Sequence, residues 1–153
     1  MKKIVSFIAA VILGISTVAG AEPVNTSGSV MSGPLTGVTN LGTTSVTYAQ
    51  GVTTSNTYVT STTSQVSVDA FSTSTYRSAK YQVQMTAGTT YHMIELLVIH
   101  DGTTVYLTQY GEVLTGASLG TFDASIVSGN VNLLLTPTNA STTVKLIRRN
   151  IVV

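Results

Sequence analysis

The segment around Ser118 is the part of the chain most like a catalytic motif. Gly116, Ser118 and Gly120 match the Gly-x-Ser-x-Gly pattern of the nucleophile elbow in hydrolases. That elbow requires a strand before the serine, a helix after it, and an acid and a histidine further along the chain. Here the pattern after Ser118 is strand-like, and both histidines, His92 and His100, precede it. We interpret the motif as a glycine-rich turn, which leaves an exported hydrolase as a minor alternative.

The other residues that could carry chemistry do not form a recognisable set. His92 and His100 lie on one predicted strand, about 26 Å apart at ~3.3 Å per residue, so they cannot share a metal ion. The chain has no cysteine, and therefore no thiolate ligand or nucleophile. No two acids are singled out by spacing as a glycosidase pair; the candidates are Asp69, Glu95, Asp101, Glu112 and Asp123. We predict no catalytic residue, no metal site and no cofactor.

The composition predicts an uncharged polar exterior. Charged residues make up 8% of the chain, against roughly 25% in an average domain. Serine and threonine take their place, and threonine is a good strand former. The net charge of +1 gives no footprint for nucleic acid, which needs clustered cations. Adjacent strand residues point to opposite faces, so Arg148 and Arg149 do not form one patch, and we interpret this last segment, with Lys145, as a solvated strand.

Residues 1–21 have the pattern of a secretory signal peptide. Lys2 and Lys3 precede an apolar stretch, and small residues end it at Ala21. We predict a hydrophobic signal helix that is cleaved after Ala21, which would export the chain to the periplasm, the cell surface or the medium. The alternative is a retained membrane anchor. Contact with a membrane is expected only through this segment.

The rest of the chain divides into two parts by its pattern. Residues 22–63 are rich in serine, threonine and glycine, and we predict an extended lead-in with weak strands at Ser45–Ala49 and Thr57–Thr60. A flexible linker is the alternative. In residues 64–153, apolar and polar positions alternate, and turn signals recur every 8–12 residues or so. We predict an all-β domain, an antiparallel β-sandwich of about seven or eight strands with jelly-roll or immunoglobulin-like order; a closed barrel is the second choice.

Asp101 and Gly102 predict a tight hairpin turn. If they form a two-residue type I′ loop, Val98 pairs with Val105 and Leu96 with Leu107. One face of the hairpin then enters the core. The opposite face is also apolar, which is typical of a surface that is covered or kept for a partner. This candidate partner or ligand face consists of Met93, Leu97, Ile99, Tyr106 and Tyr110; its tyrosines suit interfaces and sugar stacking.

Residues 65–153 resemble a known module. The likeness lies in Tyr76-Arg77-Ser78-Ala79-Lys80-Tyr81 with Gln82-Val83-Gln84, and then in His100-Asp101-Gly102-Thr103. Gly120-Thr121-Phe122 and the ending Ile151-Val152-Val153 continue it. This part resembles a β-module of virion structural and tail-fibre-like proteins of tailed phages, especially phages of marine cyanobacteria. The resemblance implies a non-catalytic module, and it supplies no catalytic residues.

Our leading hypothesis from the sequence is a non-enzymatic structural or adhesion module of virion type, in a tail fibre, appendage or decoration. The alternative is a secreted carbohydrate-binding domain or cell-surface adhesin. Expected partners are protein subunits of an assembly, as a homo-oligomer, or a surface glycan. The signal peptide predicts export, whereas the resemblance implies location in a virion.

Overall fold

The structure is a computed structural model that describes residues 45–153. The predicted signal helix and most of the lead-in lie outside the described residues. Seven strands fall within residues 64–153, where seven or eight were predicted. The nine strands of the described part are β1 (Ser45–Tyr48), β2 (Gly51–Val59), β3 (Val66–Ser72), β4 (Tyr76–Ala87), β5 (Thr90–His100), β6 (Val105–Leu114), β7 (Gly120–Val127), β8 (Asn130–Pro137) and β9 (Thr143–Val152).

The strands form two sheets, and every strand pair in them is antiparallel. The six-stranded sheet has the order β1-β2-β9-β4-β5-β6, and the three-stranded sheet has the order β3-β8-β7. The predicted all-β, antiparallel fold class is confirmed. β2 pairs with β9 from Gly51 opposite Ile151 to Val59 opposite Thr143. The domain boundary at residue 64 stays a prediction.

One hydrophobic core lies between the inner faces of the two sheets. Tyr81 and Leu96 of the six-stranded sheet are fully buried, as is Leu135 of the three-stranded sheet. The alternation of buried and exposed residues along β4, β5 and β9 follows the period of two that a half-buried strand requires. Their outward positions therefore form a second, continuous surface away from the core.

Arg148 is buried, so the prediction of a solvated last strand is wrong for this residue. Its side chain is 10% exposed and forms an ion pair of 2.5 Å with Asp69 of β3. It also donates to the carbonyl of Ala70 at 2.6 Å and, through Nε, to Asn150 Oδ1 at 2.6 Å. A buried charge needs such partners. The contact joins β9 of one sheet to β3 of the other.

The β5–β6 turn is longer than predicted. Val98 pairs with Leu107 and His100 with Val105, which leaves residues 101–104 as a four-residue loop. Among residues 45–153, type I′ geometry with positive φ at both turn positions is instead found at Ser128 (φ 51°) and Gly129 (φ 75°). The register differs from the prediction by two residues, and an even shift leaves each side chain on its predicted face.

Candidate functional site

The outer face of the six-stranded sheet, the side away from the core, carries the candidate face predicted from the sequence. All five predicted residues are exposed there: Tyr110 38%, Met93 39%, Leu97 44%, Ile99 51% and Tyr106 57%. Their burial would have contradicted the prediction. Their role in contacting a partner stays a prediction.

A charged cluster lies beside these residues. Lys80 Nζ is 3.0 Å from Glu95 Oε2 and 5.7 Å from the centre of the Tyr110 ring. The hydrogen bond with Glu95 raises the pKa of Lys80, and the hydrogen bond from Lys80 lowers the pKa of Glu95. Each partner favours the charged form of the other. The pair therefore stays ionised over a wide pH range on the open sheet.

A groove crosses the outer face next to this cluster, and we call it the polar groove. Gln84 pairs with Met93 on one side and with Lys145 on the other, and Thr57 of β2 lies opposite Lys145. The larger part has a volume of about 780 Å³. A smaller part of about 230 Å³ shares Gln82 and Ile147 with it. The side chains of the polar groove that point outward are Ser55, Thr57, Lys80, Gln82, Gln84, Met93, Glu95, Lys145, Ile147 and Arg149.

The sequence alone does not predict the polar groove. Lys80, Gln82 and Gln84 alternate with core residues along β4, and that alternation is visible in the sequence. The contributions of β2 and β9 are not, because these strands join β4 through pairings between distant parts of the chain. The groove offers hydroxyl and amide groups that both donate and accept hydrogen bonds. It is chemically suited to a polar ligand rich in hydroxyl groups.

An apolar shelf adjoins the polar groove on β5 and β6. It is a hollow of about 440 Å³ lined by Leu97, Ile99 and Tyr106, with Ser78 and Thr108 beside them. Tyr106 also donates from its hydroxyl to Asp101 Oδ2 at 3.3 Å. The shelf contains three of the five predicted face residues, Leu97, Ile99 and Tyr106.

Ser118 does not lie on an elbow. It is in the loop between β6 and β7, and its hydroxyl donates to the carbonyl of Gly120 at 3.1 Å. A Cβ on Gly120 would lie 2.7 Å from the carbonyl oxygen of Thr136, so this glycine allows β7 to approach β8 closely. The hollow of about 740 Å³ beside Ser118 has no titratable residue in its lining. The last glycine of the motif, Gly120, is thus explained by the close packing of β7 against β8.

The two histidines lie at opposite ends of β5, and each is buried. Nδ1 of His92 accepts the N–H of Leu119 at 3.3 Å, and Nε2 lies 2.9 Å from Glu112 Oε1, at ion-pair distance but outside hydrogen-bond geometry. Nε2 of His100 is 2.8 Å from the carbonyl of Tyr76. Across residues 45–153, no three histidine, cysteine or acidic residues are grouped as a metal site would need. That part of the chain also contains no helix able to span a membrane.

The chain is similar to solved structures of phage tailspike proteins. No protein-family model and no curated protein matches the sequence. The tailspike protein of Acinetobacter phage vB_ApiP_P1 is 23% identical, with a TM-score of 0.44 over 83% of this chain and 24% of the other. For gp49 of Acinetobacter baumannii phage Fri1 the identity is 13%, with a TM-score of 0.42 over 69% of this chain and 19% of that one. The phage AM24 tailspike is 9% identical, with a TM-score of 0.38 over 66% of this chain and 26% of that chain.

These comparisons correct the predicted function class. The Fri1 protein is a capsular polysaccharide depolymerase, so the class of protein to which this chain is similar includes an enzyme. The prediction of a non-enzymatic structural or adhesion module is therefore wrong. The chain spans about a quarter or less of the length of these proteins. The specific likeness to phages of marine cyanobacteria stays a prediction, and the chain is similar, more broadly, to a β-module of phage tailspike proteins.

Proposed function

We propose that residues 45–153 are the polysaccharide-contacting domain of a tailspike-like protein, and that the outer face of the six-stranded sheet holds the sugar chain. The observation that carries this proposal is the polar groove, two adjoining hollows that share Gln82 and Ile147 and are lined by Gln84, Thr57 and their neighbours. Sugars present many hydroxyl groups, which amide and hydroxyl side chains can bind as donors and as acceptors. Tyr110 beside the groove adds an apolar ring on which a sugar can stack.

The sheet holds these groups in place before a ligand arrives. β4, which carries Gln82 and Gln84, is paired on both sides, with β5 and with β9. The ion pair between Lys80 and Glu95 also fixes the orientation of these two side chains at the edge of the groove. Groups that are already positioned lose less conformational entropy on binding than mobile ones. An open groove also suits a long polymer, which passes through rather than being enclosed.

The finer predictions on location and fold are part of this proposal. We place the domain on a virion appendage, supported by the resemblance of residues 65–153 set out above. We assign the two sheets to a β-sandwich of jelly-roll or immunoglobulin-like type, supported by their common core. The predicted export by residues 1–21 stays a separate prediction.

Titration of the purified chain with capsular polysaccharide fragments, followed by calorimetry, tests the proposal. We expect Gln82→Ala/Gln84→Ala to weaken binding by about thirtyfold, because the two lost hydrogen bonds contribute about 1 kcal/mol each. Gln65→Ala is the matched control, since Gln65 is exposed and precedes β3 of the other sheet. Equal affinities of the double variant and the control would refute the proposal.

A second candidate role, contact with another subunit, is favoured by the apolar shelf. Leu97, Ile99 and Tyr106 are neighbours across β5 and β6 and are 44%, 51% and 57% exposed. Exposed apolar surface of this kind marks protein interaction sites. Light scattering during gel filtration tests the role: we expect a homo-oligomer that Ile99→Asp converts to a monomer. A monomeric wild-type chain at high concentration would exclude this role.

A further inference from the structure

The outer face has an excess of positive charge. It carries Lys80, Lys145 and Arg149 on β4 and β9, and its one carboxylate in the polar groove is Glu95. Glu95 is paired with Lys80 at 3.0 Å. Across residues 45–153, neither Lys145 nor Arg149 forms an ion pair. Two cations of the groove are therefore free to meet charges on a ligand, in a chain whose net charge is only +1.

We propose that the polar groove binds a carboxylate-bearing polysaccharide, and that Lys145 and Arg149 contact its acidic groups. This inference rests on the proposed function and specifies the chemical class of the sugar chain. A guanidinium group presents a planar set of donors that matches a carboxylate, and a lysine ammonium adds a compact charge. The hydroxyl groups of the same polymer are bound by Gln82 and Gln84.

The positions of the two cations suit a polymer with a repeated charge. Lys145 and Arg149 lie four residues apart on the same face of β9, about 13 Å at ~3.3 Å per residue. Lys145 lines the larger part of the groove and Arg149 the smaller part. Gln82 and Ile147, which both parts share, lie between them. Two acidic groups on different sugar residues of one chain can thus be bound together, with uncharged contacts between them.

The same charges do not favour a nucleic acid. Binding to a phosphate backbone depends on many cations, because each neutralised phosphate releases counterions. The groove offers two free cations, and Glu95 adds a negative charge between β4 and β6. Apart from Lys80, which is paired with Glu95, its remaining side chains are uncharged. That balance of few charges among many neutral donors and acceptors fits an acidic glycan.

The test compares acidic polysaccharides with their own neutral forms. Hyaluronan, alginate and polygalacturonate, each with a carboxyl-reduced derivative, are titrated into the wild-type chain, Lys145→Ala/Arg149→Ala and the charge-conserving control Lys145→Arg/Arg149→Lys. We expect the native polymers to bind and the reduced ones to bind about five- to tenfold more weakly, as for the loss of two exposed charge pairs. The alanine variant should show the same loss, and the control should not. Added salt should weaken binding of the acidic forms.

The outcomes separate this inference from the proposed function. If native and reduced polymers bind equally, or if the alanine variant binds hyaluronan like wild type, the inference is wrong while the polysaccharide role stands. If no polysaccharide binds in either form, both are wrong. Tighter binding of single-stranded DNA or of a phosphate-bearing teichoic acid than of any carboxylated polymer would also overturn the inference. Circular dichroism confirms that the variants are folded.

Discussion

Asp101 organises the β5–β6 turn through its carboxylate. Oδ1 accepts the backbone N–H groups of Thr103 at 2.9 Å and Thr104 at 2.8 Å, as well as the Thr103 hydroxyl at 2.9 Å. The bonds from Thr104 and then Thr103 lower the pKa of Asp101 below its ordinary value of 3.8. A carboxylate with a lowered pKa stabilises the folded state above its ordinary pKa, and that stabilisation is lost as the pH falls through the folded value.

We therefore expect Asp101→Ala to lower the melting temperature at neutral pH. The difference from wild type should shrink as the pH falls below 3.8, because the carboxylate is protonated first in the unfolded state and only at lower pH in the folded state. Thermal denaturation followed by circular dichroism measures both values. Tyr106→Phe removes only the 3.3 Å bond to Oδ2 and should change the melting temperature much less. A difference between Asp101→Ala and wild type that stays constant with pH would contradict this account.

Arg148 and Arg149 are adjacent residues with different environments, which makes them a matched pair. Arg148→Met removes the partner of Asp69, whose side chain is 11% exposed. Loss of one partner of a buried pair costs about 3–5 kcal/mol. Arg149→Met changes an outward residue and should stay within about 0.5 kcal/mol. Urea denaturation measures both free energies of unfolding, and equal effects would show that the interpretation of the buried pair is wrong.

At the scale of the element, β5 tests the assignment of the two faces. Leu96 is 0% exposed and its neighbour Leu97 is 44% exposed. Leu96→Ala should cost about 2–5 kcal/mol of unfolding free energy, because it leaves a cavity between the sheets. Leu97→Ala makes the same chemical change on the outer face and should cost less than about 0.5 kcal/mol. Chemical denaturation of both variants would refute the face assignment if Leu97→Ala were the more damaging change.

β5 also shows why the predicted faces were right although the predicted pairing of β5 with β6 was wrong. The predicted hairpin placed Val98 opposite Val105, whereas Val98 lies opposite Leu107. The carboxylate of Asp101 binds two following backbone N–H groups and so stabilises a four-residue loop that the Asp-Gly pair alone did not indicate. Side chains alternate with a period of two along a strand, so a shift of two residues left Tyr106 and Tyr110 of β6 on the outer face.

At the scale of the whole molecule, β2 protects the edge of β9 and completes the polar groove. A fragment of residues 64–153, which begins at the domain boundary predicted from the sequence, would lack β1 and β2. The backbone of β9 would then become an unpaired edge, and such edges promote association with other chains. We expect this fragment to melt at a lower temperature than residues 45–153 and to form larger species in gel filtration. Identical behaviour of the two fragments would place β2 outside the folding unit.

The function class of the protein could not be predicted correctly from the residues of this chain. The nucleophile-elbow motif at Ser118 was interpreted as a turn, and the structure explains its glycine by close packing against Thr136. The sequence contains no recognisable catalytic set and so predicts a non-enzymatic protein, and the similarity to a class that includes a depolymerase corrects that prediction. The side chains of one domain show which chemical groups that domain contains, and they do not decide what the whole protein does.

By itself, the sequence determined which side chains of a strand share a face, because that follows from alternation between neighbours along the chain. This was sufficient for the all-β class and for placing Tyr106 and Tyr110 on the face away from the core. Only the tertiary structure decided which strands lie side by side. The order β2-β9-β4 unites segments far apart in sequence, and pairing between distant strands depends on how both sheets pack on one core. The polar groove and the burial of Arg148 both arise from that packing.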